Sequence, residues 1–306
     1  MDFFIKLLFQ HWSFNPYLIA VIGLFFLTEY RGYRYLRSQD KFDLAAKLPK
    51  RTSLSSRFLI FIAGGSVLLL ILISPLNYWA GYYFWVHMIQ HIFLMLVSPF
   101  LIVVSAPWSI MYWGLPSQWR YRLRRNFSKS QLGTTLRAIG RIAISPKVAI
   151  GLFSITMILW MVPSLFDLAM ENPVIGFYGM DLSMFIVGIL LFSSVLGIDY
   201  PHWPQSSPSG QIAGLMVPAV VMWMIAIVIG MFGQHNWYSC YAHLPGITMS
   251  SYGSQQIGAA ELWVCGDFSL TPALDLVVKR FLYREEMLLK QQDRELSLLI
   301  NLTNKN

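Results

Sequence analysis

The sequence predicts an all-α polytopic membrane bundle of about seven transmembrane helices, N-terminus outside and C-terminus cytoplasmic. Three observations predict it. Hydrophobic residues make up 56% of the 306 residues and charged residues only 12%, about half the charged share of a soluble domain. Seven apolar stretches approach the roughly 20 residues a helix needs to cross the hydrocarbon core. Finally, of the 23 Lys and Arg, every one except Lys6 falls in three segments, which a seven-span path puts on one side of the membrane.

The spans run in order as Pro16–Tyr30, Phe58–Asn77, Tyr82–Val104, Pro146–Leu168, Val174–Ile198, Gly210–Phe232 and Ile257–Val278. The first lacks a small-residue cleavage site and runs into Glu29, Tyr30 and Arg31, which reads as an uncleaved span rather than a signal peptide. Pro75, Pro99, Pro163, Pro218 and Pro272 lie inside or near the ends of spans. Membrane helices tolerate them by re-satisfying freed backbone groups from neighbours, often with a kink. The basic segments are the first loop (Arg31 to Arg57), the third loop (Arg120 to Lys147) and the tail from Lys279. The fifth loop, Asp199–Ser209, is neutral to this argument because it has no Lys or Arg. With no internal repeat or low-complexity linker, the chain reads as one seven-span domain, residues 1–278, and a cytoplasmic helical tail, residues 279–306. In the tail Glu286 and Lys290 form an i,i+4 pair, and Leu288, Leu289, Leu296 and Leu299 make a ragged apolar face. Such a helix lies on the membrane or against cytoplasmic loops, or docks a partner.

The net charge of +8 does not indicate nucleic acid. No Gly-rich phosphate loop, zinc-finger spacing or aromatic RNA-binding box accompanies the basic residues. Membrane topology and anionic lipid headgroups account for them. Cys240 and Cys265 are the two cysteines and form no CxxC pair, so a disulfide framework is excluded. No Gly-x-Ser-x-Gly elbow or His-Glu-x-x-His motif occurs, and the chain reads as non-enzymatic.

Ionisable groups inside a bilayer cost at least a few kcal/mol, so they need partners or a purpose. His87, His91 and Met95 are spaced i, i+4, i+8 in the outer half of span three, which stacks them on one helical face. Two imidazoles and a thioether suit a soft or borderline cation such as copper, or the histidines hydrogen-bond neighbouring helices. Other polar residues fall in the same outer half: Asp167 in span four, Met180, Asp181 and Met184 in span five, and Glu261, Cys265 and Asp267 in span seven. The cytoplasmic halves are nearly free of ionisable groups. The asymmetry points to a site opening outward, with Asp181 or Glu261 expected near the histidine face. Taken singly, Met180 and Met184 read as core packing, Cys265 as a small buried hydrophobe and Cys240 as a loop residue. His235 and His243 read as solvated loop residues beside Met249, and His11 and His202 carry no pattern.

Two stretches carry a family resemblance: His87-Met88-Ile89-Gln90-His91 through Leu94 to Pro99 and on to Ala106-Pro107, and Gln255-Gln256-Ile257-Gly258 followed by Leu262 to Asp267. Both are similar to the multi-span CtaG family of cytochrome c oxidase assembly proteins, named for the caa-type oxidase. Leu159-Trp160-Met161-Val162-Pro163 through Asn172-Pro173 resembles its fourth span, and the similarity covers Trp79 to Leu276. The resemblance implies a cell-membrane protein that matures a haem–copper oxidase by handling copper on the outer side, with an oxidase subunit as partner. Family members commonly carry histidine where this chain has Met161, and a His and Glu-His group where it has Gly176, Met180 and Asp181. Ser254 replaces an Asp and Cys265 a Pro. On this reading His87 and His91 are primary copper ligands, and Met95, Met180, Asp181, Glu261 and Cys265 are secondary candidates. A metal-free scaffold for an oxidase subunit is the rival. A haem- or quinol-binding redox protein is the third reading, disfavoured because haem b is clamped by histidines on different helices.

Overall fold

The computed structural model describes residues 11–38, 53–197, 207–241 and 249–303, and among them every regular element is helical. The first helix, α1 (Pro16–Ser38), opens with proline at its first position, and Asn15 Oδ1 accepts from the Tyr17 and Leu18 amides at 3.1 and 3.3 Å. Helix α2 (Leu54–Ile73) is capped by Ser53. Span two was expected to continue to Asn77, but the chain breaks at Ser74 and restarts as the short α3 (Pro75–Ala80). The cause is Pro75, which disfavours helical geometry at the residue before it.

Helix α4 (Phe84–Ser105) is the most enclosed apolar helix, 67% buried. One wide π-helical turn, Phe93–Val97, interrupts it just before Pro99. It ends at Ala106, whose φ of 54° is left-handed, and Pro107 then starts α5 (Pro107–Gly114) in a new direction. Helix α5 returns along α1, where two glycines permit backbone contact of the kind small residues allow in membranes. A methyl on Gly114 would lie 1.9 Å from the Thr28 carbonyl oxygen, and one on Gly32 2.0 Å from that of Ile110.

The basic third loop is itself helical: α6 (Ser117–Lys129) and α7 (Gln131–Ala143). Leu132, Leu136 and Ile139 leave an apolar stripe exposed on α7, which meets α8 (Pro146–Met161) at a bend of 73°. Span four also divides, because Val162 adopts extended backbone before Pro163, and α9 (Pro163–Glu171) follows. Helix α10 (Ile175–Leu196) begins with a π-helical segment, Ile175–Asp181. It stops at Gly197 (φ 55°), where Arg280 Nη1 donates to the Leu196 carbonyl at 2.7 Å. The cation is well placed for the negative end of the helix dipole. Helix α11 (Ser209–Phe232) precedes α12 (Ser251–Thr303), which passes Pro272 without ending.

The core forms where α4, α8, α10, α11 and α12 meet, around Phe153, Met157, Met184, Leu191, Phe192, Leu215, Met222 and Leu262. At its closest crossing a methyl on Gly188 of α10 would lie 2.2 Å from the Met95 carbonyl oxygen of α4.

Four helices among the described residues are long and apolar enough to cross a membrane: α2, α4, α10 and α11. The bent pair α7–α8 makes five if counted as one span. Helices α1 and α12, the expected first and seventh spans, carry too many polar residues to meet the same measure. The expected tail helix is present as the continuous end of α12. Lys290 Nζ lies 2.6 Å from Glu286 Oε1, and the side chains from Phe281 to Glu295 are exposed.

Candidate functional site

His87 and His91 are one helical turn apart on α4, and the geometry brings their rings into direct contact. Nε2 faces Nε2 at 2.8 Å, and the rings meet edge to face with centroids 4.3 Å apart. Only 3% and 1% of the two residues is exposed. A bond between two neutral imidazoles needs one Nε2 to donate and the other to accept, so the rings hold opposite tautomers. His91 Nδ1 is buried without a hydrogen-bond partner. The Ala80 carbonyl beside His87 accepts from the Tyr241 hydroxyl at 2.8 Å, and His87 Nδ1 is likewise buried without a partner. The pair is therefore only partly satisfied, and leaving a buried polar group unpaired costs about 1–3 kcal/mol.

An aromatic cap closes the pair off. Phe166 of α9 sits 4.9 Å from the His87 ring. Tyr238 stacks on Phe84 at 4.4 Å, and its hydroxyl donates to the Met161 carbonyl at 3.0 Å. The segment carrying Tyr238 and Tyr241 is pinned from two sides. Asp167 of α9 accepts from the Ser239 amide and hydroxyl and from the Cys240 amide at 3.0, 2.6 and 3.2 Å. Gln255 of α12 accepts from the Trp237 amide at 2.8 Å and donates to the His235 carbonyl at 3.3 Å. Burial, with Asp167 alongside, pushes the Cys240 thiol well above its ordinary range. Gln90 donates to Asn77 at 3.0 Å, tying the histidine turn of α4 to α3.

The secondary candidates are distributed around this pair. Met95 sits within the wide turn Phe93–Val97, and its side chain is core. Met180 and Met184 are also core, as expected of them singly. Asp181, next to Met180, turns instead to the wall of a cavity beside α1 and α2, with Oδ1 buried and unpartnered. Glu261 is half-buried on α12, its Oε2 unpartnered. Cys265 is exposed on α12 rather than buried: it lies one turn from Glu261, and α12 packs on its neighbours with the Leu262, Gly266 and Leu270 stripe. Asp267 accepts from the Trp223 indole at 2.7 Å. His235 is exposed as expected; His202 and His243 lie outside the described residues. Among the described residues no three of His, Cys, Asp and Glu converge closely enough to hold a metal ion.

Sequence reading missed Phe84, Phe166, Tyr238, Tyr241 and Asn77. A signal was present in the aromatic density around Phe84 and in Asp167, the single acid between Asp43 and Glu171, but pairing them requires the folded bundle. Ser254 accepts from the Trp85 amide at 3.5 Å, near the start of α4. Gly258 admits Phe84 to the cap, since a methyl there would lie 2.5 Å from its ring.

A helical membrane bundle that buries paired imidazoles beneath an aromatic cap is a membrane protein organised around a polar site within its core. Residues 32–284 match the family model of the cytochrome c oxidase caa3 assembly factor, CtaG, and the chain belongs to that family. No curated protein and no solved structure matches it.

Proposed function

We propose that this protein assembles a haem–copper cytochrome c oxidase by receiving copper at the His87/His91 pair and passing it to an oxidase subunit. The observation that carries the reading is the pair itself: two imidazole nitrogens 2.8 Å apart, buried within a largely apolar helix. The donors suit copper, for which imidazole is a ready ligand. Two donors are fewer than the four of a closed structural site, which suits a cargo that must be released. Among the described residues Asp181, Glu261 and Cys265 do not complete a three-ligand set in this conformation. Seven spans, α1 and α12 included, put the pair toward the outer face, with α6, α7 and the end of α12 in the cytoplasm of a plasma membrane. The distribution of Lys and Arg supports that path.

A second reading, a metal-free scaffold for an oxidase subunit, is favoured by the absence of a third converging ligand among the described residues. One experiment separates the two. Protein purified without chelators is assayed for copper, and His91→Ala is tested in cells. On the copper reading the wild type carries copper and His91→Ala loses it while staying folded. Oxidase activity then falls, and added copper restores part of it by mass action. Active wild-type protein free of copper sinks this reading and leaves the scaffold.

A further inference from the structure

A cavity of about 410 Å³ runs beside the core. Helix α1 packs on α2 and α5, while α10 packs on α4, α8 and α11; the cavity is the space left between α1 and α10. Phe61, Leu94 and Ile102 form its floor and are buried, whereas Phe25 of α1 and Ile186 of α10 stand half exposed at its rims. It is therefore a groove open along the side of the bundle. Its exposed surface is apolar, and the carboxylate of Asp181, one of the lining residues, is buried behind it. Along α10 it extends from Phe177 to Leu190, about 20 Å at the helical rise.

These dimensions select the occupant. A volume of 410 Å³ is nearly three times the ~150 Å³ of an apolar cavity that takes up benzene. A helix with its side chains is ~10–12 Å wide and over that length fills on the order of 1,600 Å³, more than the groove offers. Water is excluded too, because a cavity without polar partners stays dry and takes up apolar guests. A single file of carbon atoms, in contact at ~3.5–4.0 Å, fills such a channel. At this depth in a bilayer the available material of that shape is lipid.

We propose that the groove holds one hydrocarbon chain of a membrane phospholipid, lying along α10 between α1 and α2. The chain would complete the packing that α1 lacks on this side, making the lipid an integral part of the bundle rather than loosely held solvent.

The test counts phospholipid on the full-length protein, purified in mild detergent and washed with excess detergent, by native mass spectrometry and extraction. The wild type is expected to keep about one phospholipid per chain. Leu68→Trp/Ile186→Trp, which fills the groove with two indoles, should lose at least about nine-tenths of it. Ile155→Trp, a change at a position on α8 exposed outside the groove, should keep it. If the double variant does not fold, Ile186→Trp alone decides, since its side chain stands at the exposed rim. A wild type that washes free of lipid as readily as the filled variant overturns the proposal. So does a filled variant that keeps its phospholipid, or a prenyl quinone or protein segment recovered in the phospholipid's place.

Discussion

Gly114 and Gly151 are both helical glycines, and what a methyl group meets sets their replacements apart. At Gly114 it meets a backbone carbonyl 1.9 Å away, which no rotamer change relieves. Gly114→Ala must push α1 off α5 and is expected to cost at least about 2 kcal/mol. At Gly151 nothing lies within 4 Å, so Gly151→Ala should gain up to about 1 kcal/mol from helix propensity alone. Thermal unfolding of the two variants in the same detergent checks both signs. Composition cannot distinguish these glycines, because the distinction is a neighbour far away in sequence. The histidines are the opposite case. Their i, i+4 spacing already placed both rings on one side of one turn, and the structure adds only that they touch. Cys265 fell between: its helix was legible, but the side of that helix facing the bundle was not.

At the scale of elements, the prolines behind the breaks at Ser74 and Val162 were visible although spans two and four were expected to run through them, while the wide turns at Phe93–Val97 and Ile175–Asp181 left no comparable mark. Those turns decide the register of Met95 and of Asp181, which is why the secondary ligands were harder to place than the primary pair. The capping segment lies beyond any local pattern, since it is fastened by Asp167, some 72 residues from Ser239. That fastening can be measured. Asp167→Asn removes the charge and part of the accepting capacity for three donors. Backbone amides at Ser239 and Cys240 should then exchange faster with deuterium. The Cys240 thiol, held high by burial and by Asp167, should drop in pKa and react faster with an alkylating reagent at neutral pH. Unchanged exchange and unchanged thiol reactivity would show that the cap is held by its aromatic stacking alone.

For the molecule as a whole, the basic residues make a prediction about sidedness. With both native cysteines replaced, Ser130→Cys between α6 and α7 should resist a membrane-impermeant maleimide in sealed cells and label after permeabilisation. Ser250→Cys, at the start of α12, should label without it. Labelling of Ser130→Cys in sealed cells would invert the topology. All-helical architecture and the helical tail were legible from hydrophobic runs and charge distribution. The lateral groove was not, because it is defined by packing that is missing between two helices, and no sequence pattern records a contact that does not form.

Helix α12 also has a mechanical meaning. Its 53 residues make a rod about 80 Å long. Near one end Gln255 and Gln256 grip the backbone at Trp237, His235 and Gly233, beside the cap over the imidazoles. Further along, Arg280 braces the rod against the end of α10. A rod gripped at one end and braced partway is a lever with a fulcrum. The arm beyond Arg280 reaches about 35 Å, so a tilt of only 5° about that point swings its tip by about 3 Å.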